Sequence, residues 1–128
     1  MGSQQMLIVI VGVLLVGLAI AIGITMFSDN ASSSNRDAIA NDLAAQASAA
    51  QAYQKRPKSI GGGGGSFEGF HISSGSTTND NGVFSVSSAT SSSVTIQGIG
   101  REIGYDQTSP VKVAISINAD TIAVAEVN

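Results

Sequence analysis

MLIVIVGVLLVGLAIAIGITMF, residues 6–27, is the stretch on which the reading of this chain turns. It holds 22 residues with no charge, no proline and one polar side chain, Thr25. A helix rises about 1.5 Å per residue, so a run of this length spans the roughly 30 Å hydrocarbon core of a bilayer. The first charged residue of the chain is Asp29. Gly12, Gly17 and Gly23 interrupt the run. Each glycine costs about 1 kcal/mol in a helix interior, and glycines in an apolar span permit close helix–helix approach.

Outward from this run everything is polar. The remaining roughly 100 residues suffice for one small domain. Charged residues make up 12% of the chain, the net charge is −3 and tryptophan is absent. A nucleic-acid binder needs a basic face with aromatic platforms. Only Lys55, Arg56 and Lys58 cluster among the six basic residues, and cations at that place suit a helix C-terminus. No nucleic-acid partner is expected. The absence of cysteine excludes disulfides and thiolate metal sites.

Ser28–Asn35, SDNASSSN, is a polar break after which Ser34 or Asn35 is placed to cap a new helix. From Arg36 to about Arg56, Ile39, Leu43, Ala47, Ala50 and Tyr53 recur at helical spacing and form one mostly small stripe. Pro57 ends it. Gly61–Gly65 follows, read as a flexible joint because no helix or strand interior favours five glycines. Phe67–Ser73, Gly82–Ser88, Ser93–Ile99, Val111–Ile117 and Thr121–Val127 are strand-like, with Ser74–Asn81, Ala89–Ser92 and Gly100–Ser109 as connections. Val111, Val113, Ile115 and Ile117 alternate with polar or small residues, so one face is buried. Asn118-Ala119-Asp120 predicts a hairpin.

The expected fold class is α+β. A long N-terminal helix, apolar in its first half and amphipathic in its second, packs on a small antiparallel sheet. The division is 1–28 for the apolar helix and 29–128 for the head. Within the head, 29–56 is the amphipathic helix, 57–66 the glycine-rich linker and 67–128 the sheet. Ile39, Leu43 and Tyr53 are expected to pack against Phe84, Val94, Ile96, Val113 and Ile115.

Signs of chemistry are sparse. His71 is the one histidine, and no His/Asp/Glu spacing around it resembles a metal or acid–base site. No serine sits in a Gly-x-Ser-x-Gly elbow, and Asp80-Asn81-Gly82 reads as a turn, Asn-Gly favouring positive φ. Arg101-Glu102 reads as a solvated pair. No enzyme activity, catalytic residue, cofactor or metal is expected. Asn30-Ala31-Ser32 fits the N-glycosylation acceptor pattern at Asn30.

This layout, across nearly all 128 residues, resembles a type IV pilin or a related pilin-like filament subunit. The resemblance rests on Gly2 opening an apolar helix, the alanine-rich Arg36–Arg56 half, and a loop leading to a sheet. It implies that apolar half-helices bundle in a filament core while the heads tile the outside. Leu7, Ile8, Val11, Gly12, Leu15, Gly17, Ile20, Ile22 and Phe27 would then form core contacts. Gly23, Ser28 and Asn30 would mark a point where the helix melts on assembly. Three features depart from the family, one being that the C-terminal disulfide loop of many members is missing. Met1 alone precedes Gly2, which implies leaderless processing, and Met6 stands where a glutamate is usual. The implied partners are copies of the same chain, the membrane before assembly and a pilus assembly machinery. The implied place is the inner membrane, then a filament on the cell surface. The alternative is a single-span, membrane-anchored extracytoplasmic binding module.

Overall fold

The structure, a computed structural model, describes residues 2–128. It is an α+β fold: one long N-terminal helix, α1 (Ser3–Lys55), with its later part packed on a four-stranded antiparallel sheet. The strands are β1 (Gly82–Ala89), β2 (Ser93–Ile103), β3 (Pro110–Asn118) and β4 (Ile122–Glu126), in spatial order β1-β2-β3-β4. The chain forms two compact units, one ending at Ala31 and the other Ser32–Asn128.

In the second unit, α1 buries Arg36, Ile39, Leu43, Ala47 and Ala50. Their spacing of three, four, four and three puts them on one helix face. Ile39, Leu43, Ala47 and Ala50 meet Phe84 of β1, Val94 and Ile96 of β2, and Val111, Val113, Ile115 and Ile117 of β3 in one buried cluster. Register explains the choice of face. Ile96 pairs with Ile115 and Val94 with Ile117, so alternate residues of both strands point at the helix. Gly98 lies on the same face. A Cβ there would come within 2.6 Å of Ile39 Cγ2 and 3.1 Å of Phe84 Cε1, so only glycine lets the helix sit this close.

Five expectations need correction. First, Ser28–Asn35 does not end one helix and begin another. The weak point expected on assembly at Gly23, Ser28 and Asn30 is not seen in the chain, where all three are helical. Each added helical residue gains a hydrogen bond, which offsets the modest propensity cost of Ser and Asn. Asn35 caps nothing. Its Oδ1 accepts the N–H groups of Arg101 (3.0 Å) and Glu102 (3.3 Å), where β2 loses register with β3 between Ile99 and Ile103.

Second, Gly61–Gly65 is an ordered cap, not a flexible joint. The N–H groups of Gly62, Gly63, Gly64 and Gly65 donate to the carbonyls of Pro57, Tyr53, Arg56 and Gln54. These include carbonyls left without partners at a helix C-terminus. A Cβ on Gly63 would collide with the Ser66 carbonyl. Third, Phe67–Ser73 is not a strand; it is irregular and leads into a short 3₁₀ turn, Ser74–Ser76. Phe67 is fully buried all the same, a plug inserted from a loop.

Fourth, Tyr53 does not reach the sheet. It is half-buried and meets Phe70 edge-on, with ring centroids 5.6 Å apart, while its hydroxyl donates to the Glu68 carbonyl at 2.8 Å. Tyr53 thus pins the irregular segment to the helix. Fifth, Arg101-Glu102 lies in β2 and not in a loop; both side chains are exposed, and Arg101 donates to the carbonyls of Asp80 (2.9 Å) and Asn79 (2.7 Å). The adjoining Asn-Gly turn needs no positive φ at Asn81 or Gly82. Asn79 Oδ1 closes it by accepting the N–H groups of both.

Candidate functional site

The candidate site is the apolar surface of the first unit. Ten side chains in it decide its character. Leu7, Ile8, Val11, Leu15, Ile20, Ile22 and Phe27 are all between 50% and 77% exposed, and so are Val13, Leu14 and Leu18. A helix bordering water on one side would show a polar stripe; this one has none. Its most apolar 18-residue window has a mean hydropathy of 3.2, enough to cross a membrane, and none of that window is buried in the chain. Each large apolar side chain left in water forgoes roughly 1.5–3 kcal/mol.

The polar atoms of this surface are already satisfied. Thr25 Oγ1 donates to the Ala21 carbonyl at 3.1 Å, one turn back. The only hydroxyl of the span therefore presents no free donor to an apolar surrounding. Gly12, Gly17 and Gly23 have open space where a Cβ would stand. Nothing in the chain itself occupies the notches they leave. The backbone of the whole span is hydrogen-bonded within the helix, as a bilayer or a dry bundle requires.

Asn30 is exposed on the helix three residues beyond Phe27. The helix–sheet residues lie apart from the span: Ile39, Leu43, Phe84, Val94, Ile96, Val113 and Ile115 are together in the head core, and Tyr53 stands outside it.

At the start of the head is a buried cation that the sequence signals only by its spacing. Arg36 is 2% exposed, yet among the described residues no Asp or Glu side chain pairs with it. Its guanidinium stacks on Tyr105, 3.7 Å from the ring centroid, and Nη2 donates to the Asn128 carbonyl at 3.2 Å. A cation on an aromatic face is stabilised by the ring quadrupole, which offsets part of the burial cost. The spacing of Arg36 with Ile39 and Leu43 was the one available sign: a charge in line with a buried stripe. The neighbouring Gly104–Ser109 loop is organised by Asp106, whose carboxylate accepts from the Ser109 hydroxyl and from the N–H groups of Ser109 and Thr108. Those bonds, the Ser109 hydroxyl first, hold its carboxyl well below the usual carboxylate range. Gln107 takes up positive φ in the same loop.

Among the described residues, no three His, Cys, Asp or Glu side chains come together to hold a metal ion. No known protein family, no characterised protein and no solved structure matches this chain. What the fold defines is a class: a membrane-capable apolar helix continuing into a small α+β head. That arrangement is compatible with a pilin-like fold.

Proposed function

We propose that this chain is the structural subunit of an extracellular, type IV pilus-like filament, built by bundling of its apolar half-helix with the heads on the outside. One observation carries the reading. Residues 6–27 are apolar and exposed on every side, and the same helix goes on, without a cap, into a stripe docked on a sheet. A membrane anchor requires the first property alone. It has no use for a head whose core is built on an extension of the anchor.

The energetics support the reading. Such a surface leaves the bilayer only for a place equally apolar, and a bundle of copies provides one. Lipid tails are as apolar as leucine, so bundling inside the membrane gains mainly van der Waals packing, for which open glycine notches are suited. Before assembly the helix resides in the inner membrane; after it, copies of the chain are its partners. The assembly machinery is implied by the resemblance and not by any side chain. Electron microscopy of the expressing cell surface and of the purified protein tests the proposal. Fibres whose subunit is this chain are the expected result. A detergent-dispersed monomer with no fibres on cells would leave the anchored binding module instead.

A further inference from the structure

The sheet has two edges, β1 and β4, and only one is open. β1 is covered along its first half. Phe84 N–H donates to the Thr77 carbonyl, Asn79 N–H donates to the Gly82 carbonyl, and Thr78 bridges Val83. Its second half breaks register with β2 between Val86 and Ser88. Bulges and covering loops are how natural edges avoid further pairing. β4 has neither. Its register with β3 is unbroken from Ile122 to Glu126, all its residues are exposed, and it contains no lysine and no proline.

Hydrogen-bond alternation fixes what this edge presents. Asn118 N–H donates to the Thr121 carbonyl, and Val127 N–H to the Lys112 carbonyl. Residues of an antiparallel ladder alternate between bonding to the neighbouring strand and facing away from it. Thr121, Ala123, Ala125 and Val127 therefore bond toward β3, while Ile122, Val124 and Glu126 turn their N–H and C=O groups outward. Among the described residues nothing meets those groups. Ile122 and Val124 are cross-strand partners of Ile117 and Ile115, so their side chains share the helix side of the sheet, 43% and 52% exposed.

We propose that this edge pairs, antiparallel, with the same edge of a second copy of the chain, about a two-fold axis through Val124. The pattern selects that occupant. With Val124 opposite Val124, Ile122 of each copy stands opposite Glu126 of the other, and each outward N–H finds an outward C=O. A shift by two residues either way leaves an outward residue of each copy unpaired. No like charges stand opposite one another. Pairing of β4 with β1 of another copy, which would run on without closing, is blocked by the segment 77–79. A five-residue edge buries far less than the roughly 1,200–2,000 Å² of a stable interface, so one pair is weak and many arrayed pairs are strong. In the head, α1 lies along the strands, since Asn35 bonds at Arg101 and Gln51 at Asn118, near opposite ends of the β2–β3 ladder. The two-fold therefore sets the paired heads in opposite directions. Heads of one fibre all point one way, so in fibres the pairing joins neighbours side by side; only this consequence rests on the filament reading.

The chain has no cysteine, so single cysteines report the pairing in the full-length protein in detergent. Cα atoms of a hydrogen-bonded antiparallel pair lie about 5.5 Å apart, within the reach of a disulfide. Under mild oxidation with copper phenanthroline, Val124→Cys should cross-link to itself at least tenfold faster than Val83→Cys, a β1 position of similar exposure. Ile122→Cys should cross-link to Glu126→Cys in a mixture at least tenfold faster than to itself. In the parent chain, amide NMR signals of Ile122, Val124 and Glu126 should shift with protein concentration, with a Kd on the order of 1 mM. Val124→Lys, which charges the edge of both copies, should weaken that association at least tenfold and leave the melting of the head unchanged. Equal cross-linking at Val83 and Val124, self-linking of Ile122→Cys as fast as the mixture, no concentration-dependent shift at the edge, or indifference to Val124→Lys would each overturn the proposal. Fibres on cells without this pairing would overturn it and leave the filament reading standing. Pairing in detergent without fibres would support it and count against the filament.

Discussion

Residues 6–27 and residues 36–50 share one helix and little else. Both are regular α-helix, and both are rich in small and aliphatic side chains. The first stretch exposes all its large apolar residues, whereas the second hides one narrow face, Ile39 and Leu43 at zero exposure, and leaves the other in water. Backbone conformation is therefore not what separates them. Partnership is: the second stretch has its sheet within the chain, and the first has an apolar surface with no partner inside the molecule. Where secondary structure is shared, burial distinguishes the part that folds a domain from the part that awaits a membrane or other copies.

The comparison predicts that substitutions in the two stretches have separable consequences. Val13→Asp, in the exposed half, should have the largest effect on assembly. Burying an unpaired carboxylate in a dry bundle costs several kcal/mol per subunit at least, so fibres counted by electron microscopy should vanish. The thermal unfolding of the head should not change. A variant that still formed fibres would break the distinction between the two halves.

Leu43→Ala should do the reverse. Leu43 is fully buried against the sheet, so truncation should destabilise the head by roughly 2–5 kcal/mol. The check is loss of β-sheet circular dichroism on heating the full chain in detergent, with Leu14→Ala as the comparison that leaves this melting unmoved. Gly98→Ala should cost less, about 1–3 kcal/mol, because the added methyl meets Ile39 and Phe84 in a packed core. Paired with Ile39→Ala, which removes the Cγ2 that the new methyl meets, Gly98→Ala should cost less than it does in the parent chain, by the same measurement. If it does not, the close approach of helix and sheet is not what keeps glycine there.

The smallest effect concerns acid. A carboxyl whose folded pKa is depressed contributes stability that is complete above its unfolded value, about 3.9, and lost as pH falls through the folded value. The Asp106 loop should accordingly hold its conformation into strong acid. Carboxyl NMR should find Asp106 among the last side chains to protonate. Ser109→Ala, which removes the leading hydrogen bond, should raise its titration toward the ordinary range. This loop belongs to the folded half of the comparison, and residues 6–27, free of titratable groups, should show no response.

The amino-acid sequence by itself determined the apolar span, the stripe Ile39, Leu43, Ala47 and Ala50, and in outline the strands, read at 82–88, 93–99, 111–117 and 121–127 and found at 82–89, 93–103, 110–118 and 122–126. These are periodic signals, and period follows from local backbone geometry, which each residue's neighbours in sequence decide. Tertiary structure alone decided the rest. Phe67 reads as a strand residue and is a loop plug, because burial of a ring needs a cavity and not a ladder. Tyr53 continues the stripe in spacing but lies past the sheet, where Phe70 and the Glu68 carbonyl receive it. Five glycines read as slack, yet the carbonyls of Tyr53 and Gln54 at the helix end, and of Arg56 and Pro57 just past it, accept four of their N–H groups. Arg36 and Gly98 sit where segments distant in sequence meet. Their roles depend on distances of a few ångströms across the fold, and no periodicity along the chain encodes those.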